Sequence, residues 1–127
     1  MTAFAPPTED VQKLAELLGE AAALRLVEAR GGTRIYIADY AAAPDPEGEL
    51  ASLVGLDGAL AMYERYGRGW HRVPVARPWR VLCYLAQGMN RTQAALKAVC
   101  HENTVDDIVR RYGRPRGNQL DLFDKAG

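Results

Sequence analysis

Cysteine and histidine are scarce in this sequence, with two of each among 127 residues. Cys83 and Cys100 are too few for a disulfide framework and too far apart for a Cys-x-x-Cys pair. His71 and His101 are widely separated, and adjacent residues such as Cys100-His101 rarely converge on one ion, so no metal site is expected. Neither a Ser-His-Asp signature nor a glycine-rich phosphate loop is present, so no catalytic residue, cofactor or enzymatic activity is expected. No apolar run approaches the ~18–20 residues that cross a bilayer. The opening MTAFAPPTED has neither the basic flank nor the apolar length of a signal peptide. A soluble cytoplasmic protein with no membrane partner is the expectation. An excess of either charge is also lacking, since Lys+Arg and Asp+Glu both count 16.

What is present is an ordinary globular composition, 48% hydrophobic and 25% charged, long enough for one domain or two small subdomains. The neutral total hides an asymmetry. Residues 1–60 carry four basic and ten acidic side chains, whereas residues 77–116 carry eight basic and three acidic. A polyanionic partner would therefore meet the second half.

The front half repeats itself. Residues 17–38 and 53–75 align without a gap at an offset of 36, with Leu17/Leu53, Gly19/Gly55, Ala23/Ala59, Leu24/Leu60, Glu28/Glu64 and Gly31/Gly67 identical. Each copy reads as a helix, a glycine stop and a short alternating strand, Thr33–Ala38 in the first and Trp70–Val75 in the second. Thr8 is placed to cap a preceding helix through Leu18. Residues 41–49 read as a loop. Two short strands make a marginal sheet. Pairing across a two-fold between two copies of the chain would place Ile35, Tyr36, Ile37, Val73 and Val75 at a homodimer interface. The alternative is pairing within one chain, packed on its own helices.

From Pro78 the pattern becomes helical throughout. A first helix carries Trp79, Leu82, Cys83 and Leu85, and Gly88 ends it. A second, capped by Asn90 or Thr92, carries Ala94, Ala95 and Ala98. After a turn over residues 100–103, a third begins near Thr104 with Val105, Ile108 and Val109 inward. Small alanines at a helix crossing suit a helix-turn-helix whose last helix enters the major groove of double-stranded DNA. A plain three-helix bundle has the same pattern. In the first case Asn103, Thr104 and Asp107 face bases, while Arg91, Thr92, Gln93, Arg110 and Arg111 face phosphates.

The order of GEAAALRLVEARGGTRIYIA, a weaker second copy and RVLCYLAQGMNRTQAALKAVCHENTVDDIVRRY resembles the Mor transcription activator family of Mu-like phages over about residues 8–112. Gly31-Gly32-x-x-Ile35-Tyr36-Ile37 is close to that family's Gly-Gly-x-x-Ile-Tyr-Ile-Pro signature. Ala38 stands in place of the signature proline, and Val99 where the family usually has a turn glycine. The resemblance implies a helix–strand dimerisation domain, a C-terminal helix-turn-helix, a dyad DNA element near a promoter and contact with host RNA polymerase.

The tail carries a separate signal. After a basic linker at 114–118, Gln119-Leu120-Asp121-Leu122-Phe123 resembles the pentapeptide by which bacterial proteins dock on the DNA polymerase sliding clamp. Leu122 and Phe123 would be the anchors, unless the segment folds back onto the domain.

The sequence thus predicts a mainly α protein with short β-strands. Residues 1–76 form a repeated helix–strand dimerisation domain, 77–112 a helix-turn-helix, and 113–127 a tail with a docking peptide. A phage-type, nucleoid-associated transcriptional regulator is expected. The competing reading is an interaction protein on the same scaffold that acts chiefly by clamp binding, because Glu102, Asp106 and Asp107 would repel phosphates at the start of the last helix.

Overall fold

The computed structural model describes residues 8–42 and 44–115. Among these residues six helices and a two-stranded antiparallel sheet follow in the order α1 (Glu9–Leu18), α2 (Glu20–Arg30), β1 (Arg34–Ile37), α3 (Glu49–Tyr66), β2 (Gly69–Arg72), α4 (Arg77–Ala86), α5 (Arg91–Ala98) and α6 (Glu102–Tyr112). The chain divides into two compact units between Ala76 and Arg77. Among the described residues no helix is long and apolar enough to cross a membrane.

The first unit is built twice. Thr8 opens α1, its hydroxyl accepting a bond from the Val11 amide, and Glu9 and Asp10 lie favourably at the positive end of the helix. Gly19 then turns the chain into α2 with φ 86°, ψ 157°. Thirty-six residues later Gly55 breaks α3 with nearly the same angles, φ 83°, ψ 161°. This left-handed extended conformation is essentially reserved for glycine, which accounts for the identity at this position of the repeat. Arg25 donates from Nε to the Leu53 carbonyl (2.7 Å), supporting α3 just before its break. The repeated unit is therefore helix, glycine kink, helix, strand. The segment of α3 before Gly55 starts where residues 41–49 read as loop.

The strands pair with each other inside the chain, Arg34 with Arg72, Ile35 with His71, Tyr36 with Trp70 and Ile37 with Gly69. At the repeat offset of 36, Ile35 is equivalent to His71, and Arg34 and Tyr36 are equivalent to Trp70 and Arg72. The register thus places a pseudo-two-fold axis through the Ile35–His71 pair. The strands are shorter than their sequence pattern suggests. Pro74 lacks an amide to donate, and beyond Arg72 the pairing continues only through Val73, whose amide and carbonyl bond Thr33 and Gly32. The inward side chains Ile35, Ile37 and Val73 join Val11, Leu14, Leu26, Val27, Leu50 and Met62 in the core of this unit. Gly31 is required for space, since a Cβ there would lie 2.5 Å from the Val27 carbonyl oxygen and 3.0 Å from that of Pro74.

Three short helices form the second unit. α4 buries six consecutive-turn residues, from Trp79 and Val81 to Leu85. α5 contributes only alanines to the core, Ala94, Ala95 and Ala98, and α6 contributes Val105 and Ile108. Alanine at these positions lets three helices of 10, 8 and 11 residues share one small core. Val109 is only half-buried.

Candidate nucleic-acid interface

Asn90, rather than Thr92, caps α5. Its side chain accepts from the Gln93 amide (2.8 Å), and Gln93 Oε1 accepts from the Asn90 amide (2.9 Å). Gln93, expected to face phosphate, is thus half of a capping box. α5 ends at Val99, which adopts the left-handed conformation with φ 57°, ψ 57°. The turn is shorter than the sequence pattern indicates, and α6 begins at Glu102 with His101 as its N-cap. Thr104 therefore lies in the first turn of α6 rather than at its start.

Val99 carries a measurable cost. A β-branched side chain in this region is strained by about 1–2 kcal/mol, and the side chain itself is 76% exposed. Val99→Gly should stabilise the protein by about 1 kcal/mol, read as a raised midpoint in thermal or urea unfolding. An unchanged or lowered midpoint would show that the valine side chain compensates its own strain.

The acidic start of α6 is partly neutralised from α5. Arg91 donates from Nε and Nη2 to the two oxygens of Asp106 (2.8 and 2.9 Å). Its Nη1 lies 3.3 Å from Glu102, whose other oxygen accepts from the Thr92 hydroxyl. One turn on, Arg110 donates to Asp107 at 2.7 Å. Four residues expected at DNA, Arg91, Thr92, Asp107 and Arg110, are thereby engaged with one another or with Glu102 and Asp106. Asn103 and Arg111 point into solvent, and Thr104 is half-buried.

Bonding to Arg91 holds the Asp106 carboxyl below the usual aspartate range and raises the Arg91 guanidinium correspondingly. A carboxylate with a depressed folded-state pKa contributes stability that is complete above its unfolded value and is lost as pH falls through the folded one. Acid titration of wild type against Asp106→Asn should therefore show curves that converge below about pH 4 and separate towards neutrality. Parallel curves throughout would mean that the pair adds nothing to folding.

Arg77 and Arg80 were not among the residues singled out from sequence. Arg77 Nε donates to the Ala98 carbonyl (3.2 Å) and Arg80 Nη2 to that of Lys97 (3.4 Å), where α5 presents its negative end. Their position at the first turn of α4 is the signal that connects them with that end. Lys97 lies over the Tyr84 ring at 5.4 Å. Burial raises the Cys100 thiol above its ordinary value, with Arg77 and Arg80 opposing. Among the described residues no group of His, Cys, Asp or Glu is placed to hold a metal.

The side chains expected at a dimer interface separate into two sets. Ile35, Ile37 and Val73 are covered by this chain's own helices, whereas Tyr36 and Val75 are 45% and 44% exposed. Tyr36 meets Trp70 edge to face at 5.4 Å, and the Arg34 guanidinium lies 5.4 Å from the Trp70 ring. The outward sheet face is therefore aromatic and basic. The clamp-type pentapeptide, Gln119, Leu120, Asp121, Leu122 and Phe123, lies outside the described residues. No protein-family model, curated protein or solved structure matches the chain.

Proposed function

We propose that the chain is a DNA-binding transcriptional regulator whose helices α5 and α6 act as a helix-turn-helix, with α6 in the major groove. The observation that carries this reading is the joint between α5 and α6. Ala94, Ala95 and Ala98 are buried beside Val105 and Ile108, and a three-residue turn leaves Asn103 and Arg111 outward. The Arg91 pairs weaken the objection raised by the acidic sequence of α6, since Glu102 and Asp106 would meet a phosphate backbone partly compensated. Among the described residues of the second unit, Arg111, Lys97 and Arg114 are the cations left for phosphates in this reading. A mobility-shift assay on duplex DNA at two stated salt concentrations tests it. Retardation that weakens with salt supports it, and no retardation even at low salt removes it.

The strand pairing within the chain removes the reason for an intermolecular strand pair. The repeat supplies its own partner. We therefore read the regulator as a monomer, in place of the dimer its sequence suggests. Light scattering at tens of micromolar should return the chain mass of 14.0 kDa. Twice that value would restore the dimer.

The pentapeptide Gln119–Phe123 supports a second attachment in the same proposal, docking on the sliding clamp, because all five of its positions fit the motif.

A further inference from the structure

The pseudo-two-fold of the first unit is broken beside the start of α3. In one half, Arg30 donates from Nη2 to Glu49 at 2.7 Å and from Nε to its other oxygen, tying the end of α2 to the start of α3. Beside this pair the connection between the repeats tucks in Tyr40, which is buried and whose hydroxyl would lie 3.3 Å from a Cβ at Gly48. At the repeat offset of 36, the equivalents of Glu49 and Arg30 are Lys13 and Tyr66. They cannot form an ion pair, and both line an open cleft of about 600 Å³ within this unit. The axis also exchanges Ile35, which is buried, for His71, which is half-buried and borders the cleft. One half of the duplicated fold is thus closed by an ion pair and a tyrosine, and the other is open where those groups are missing.

The walls of the opening have a definite chemistry. The buried side chains of Leu14, Leu26, Met62 and Val73 lie beneath it, Val75 is its exposed apolar wall, and Lys13, Arg65 and Arg72 line it against one carboxylate, Asp10. His71 Nε2 donates to the Gly67 carbonyl at 3.0 Å, and the ring rests 5.9 Å from that of Tyr66. Its orientation is therefore set, with Nδ1 left over. Lys13 meets Glu9 at 3.3 Å in an exposed pair along α1, an interaction that competes weakly with a ligand. A mixed cleft of this size, apolar below and cationic at the rim, matches small ligands rather than a chain segment.

We propose that this cleft binds a small amphipathic anion, a carboxylate or phosphate on an apolar body. Its head lies among Lys13, Arg65 and His71 and its body against Val75, above the buried Leu14 and Met62. The proposal concerns the first unit and does not rest on DNA binding. In a regulator it would give the unit with the duplicated fold a sensing role.

The test uses the full chain and four probes: octanoate, octyl phosphate, octylammonium and inorganic phosphate. Octanoate or octyl phosphate should raise the thermal midpoint with concentration, as a ligand of the native state must, and their order identifies the preferred head group. Octylammonium and inorganic phosphate should not. Lys13→Gln with Arg65→Gln should weaken binding at least ~10-fold, since charge-assisted bonds are lost. His71→Ile, which gives β2 the inward residue of β1, should close the cleft and abolish binding while the unliganded midpoint stays at or above wild type. The proposal is overturned if neither anion raises the midpoint, if octylammonium or inorganic phosphate does so equally, or if a folded His71→Ile protein still binds.

Discussion

Replacing Asn103 and Thr104 together by alanine should cost about 10²- to 10³-fold in affinity for the preferred DNA sequence, with little loss on unrelated DNA. Both side chains belong to the first turn of α6, where a helix entering the major groove meets base edges. Their neighbours are already committed. Glu102 and Asp106 are held by Thr92 and Arg91, and Asp107 by Arg110, so Asn103 and Thr104 are the neutral hydrogen-bonding groups at this end. An asparagine can bond adenine through two atoms, and each such contact discriminates by roughly 1–3 kcal/mol. Neither side chain is buried, so stability should change by no more than about 0.5 kcal/mol. The preferred sequence is obtained by selection from random duplexes with the wild-type protein. Both proteins are then titrated against that sequence and a scrambled one at equal salt. An equal loss on both would place these residues at phosphates, and no loss on either would take α6 out of the groove.

The same network changes how the charge pattern should be read. Sequence alone shows a basic second half and three carboxylates that would offend DNA. In three dimensions the two features largely cancel locally. Arg91 answers Glu102 and Asp106, Arg110 answers Asp107, and Arg77 and Arg80 serve the carbonyl end of α5. These pairs span 11 to 21 residues, except the one within α6, and no local period announces them. Several helix ends are legible because caps and stops are local: Thr8, Asn90 and Gly88 sit where their chemistry requires, but the start of α3 at Glu49 falls in a stretch that reads as loop, and the kinks at Gly19 and Gly55 are visible only as a repeated glycine. The start of α6 was misplaced because His101 caps it without a side-chain bond and Val99 takes the turn conformation usually left to glycine.

The repeat was the most informative pattern, and its consequence was only half visible. Six identities at one offset establish two copies of a helix–strand unit. Whether the strands pair within a chain or between chains depends on the length and path of the connection, which no periodicity encodes. In the structure they pair within the chain, and Ile35 faces its own repeat equivalent, His71, as residues on a two-fold axis do. A duplicated chain can in this way carry inside itself the symmetry that a single-copy protein must obtain by association. It can also vary the two halves separately. Lys13 against Glu49 and His71 against Ile35 are such variations, and they leave one half closed and the other open.

Leu122→Ala with Phe123→Ala should abolish detectable binding to a bacterial sliding clamp while leaving DNA binding unchanged. The argument is one of area. Burying a leucine or phenylalanine side chain contributes roughly 1.5–3 kcal/mol each, so losing both weakens a peptide contact by about two to four orders of magnitude. A short motif that binds in the micromolar range has no such reserve. In this proposal Gln119 would supply a hydrogen bond at the pocket rim, so Gln119→Ala should weaken docking by only about tenfold or less. The α6 helix ends at Tyr112, seven residues before the motif, so the anchors are separate in sequence from Asn103 and Thr104. The measurement is clamp binding by the full chain and by a synthetic 114–127 peptide, beside the mobility shift of the double variant. Equal binding by peptide and chain places the whole interaction in the tail. If the wild-type chain ignores the clamp and the double variant melts at a lower temperature, Leu122 and Phe123 belong to a folded core, and the protein's contact with replication falls away.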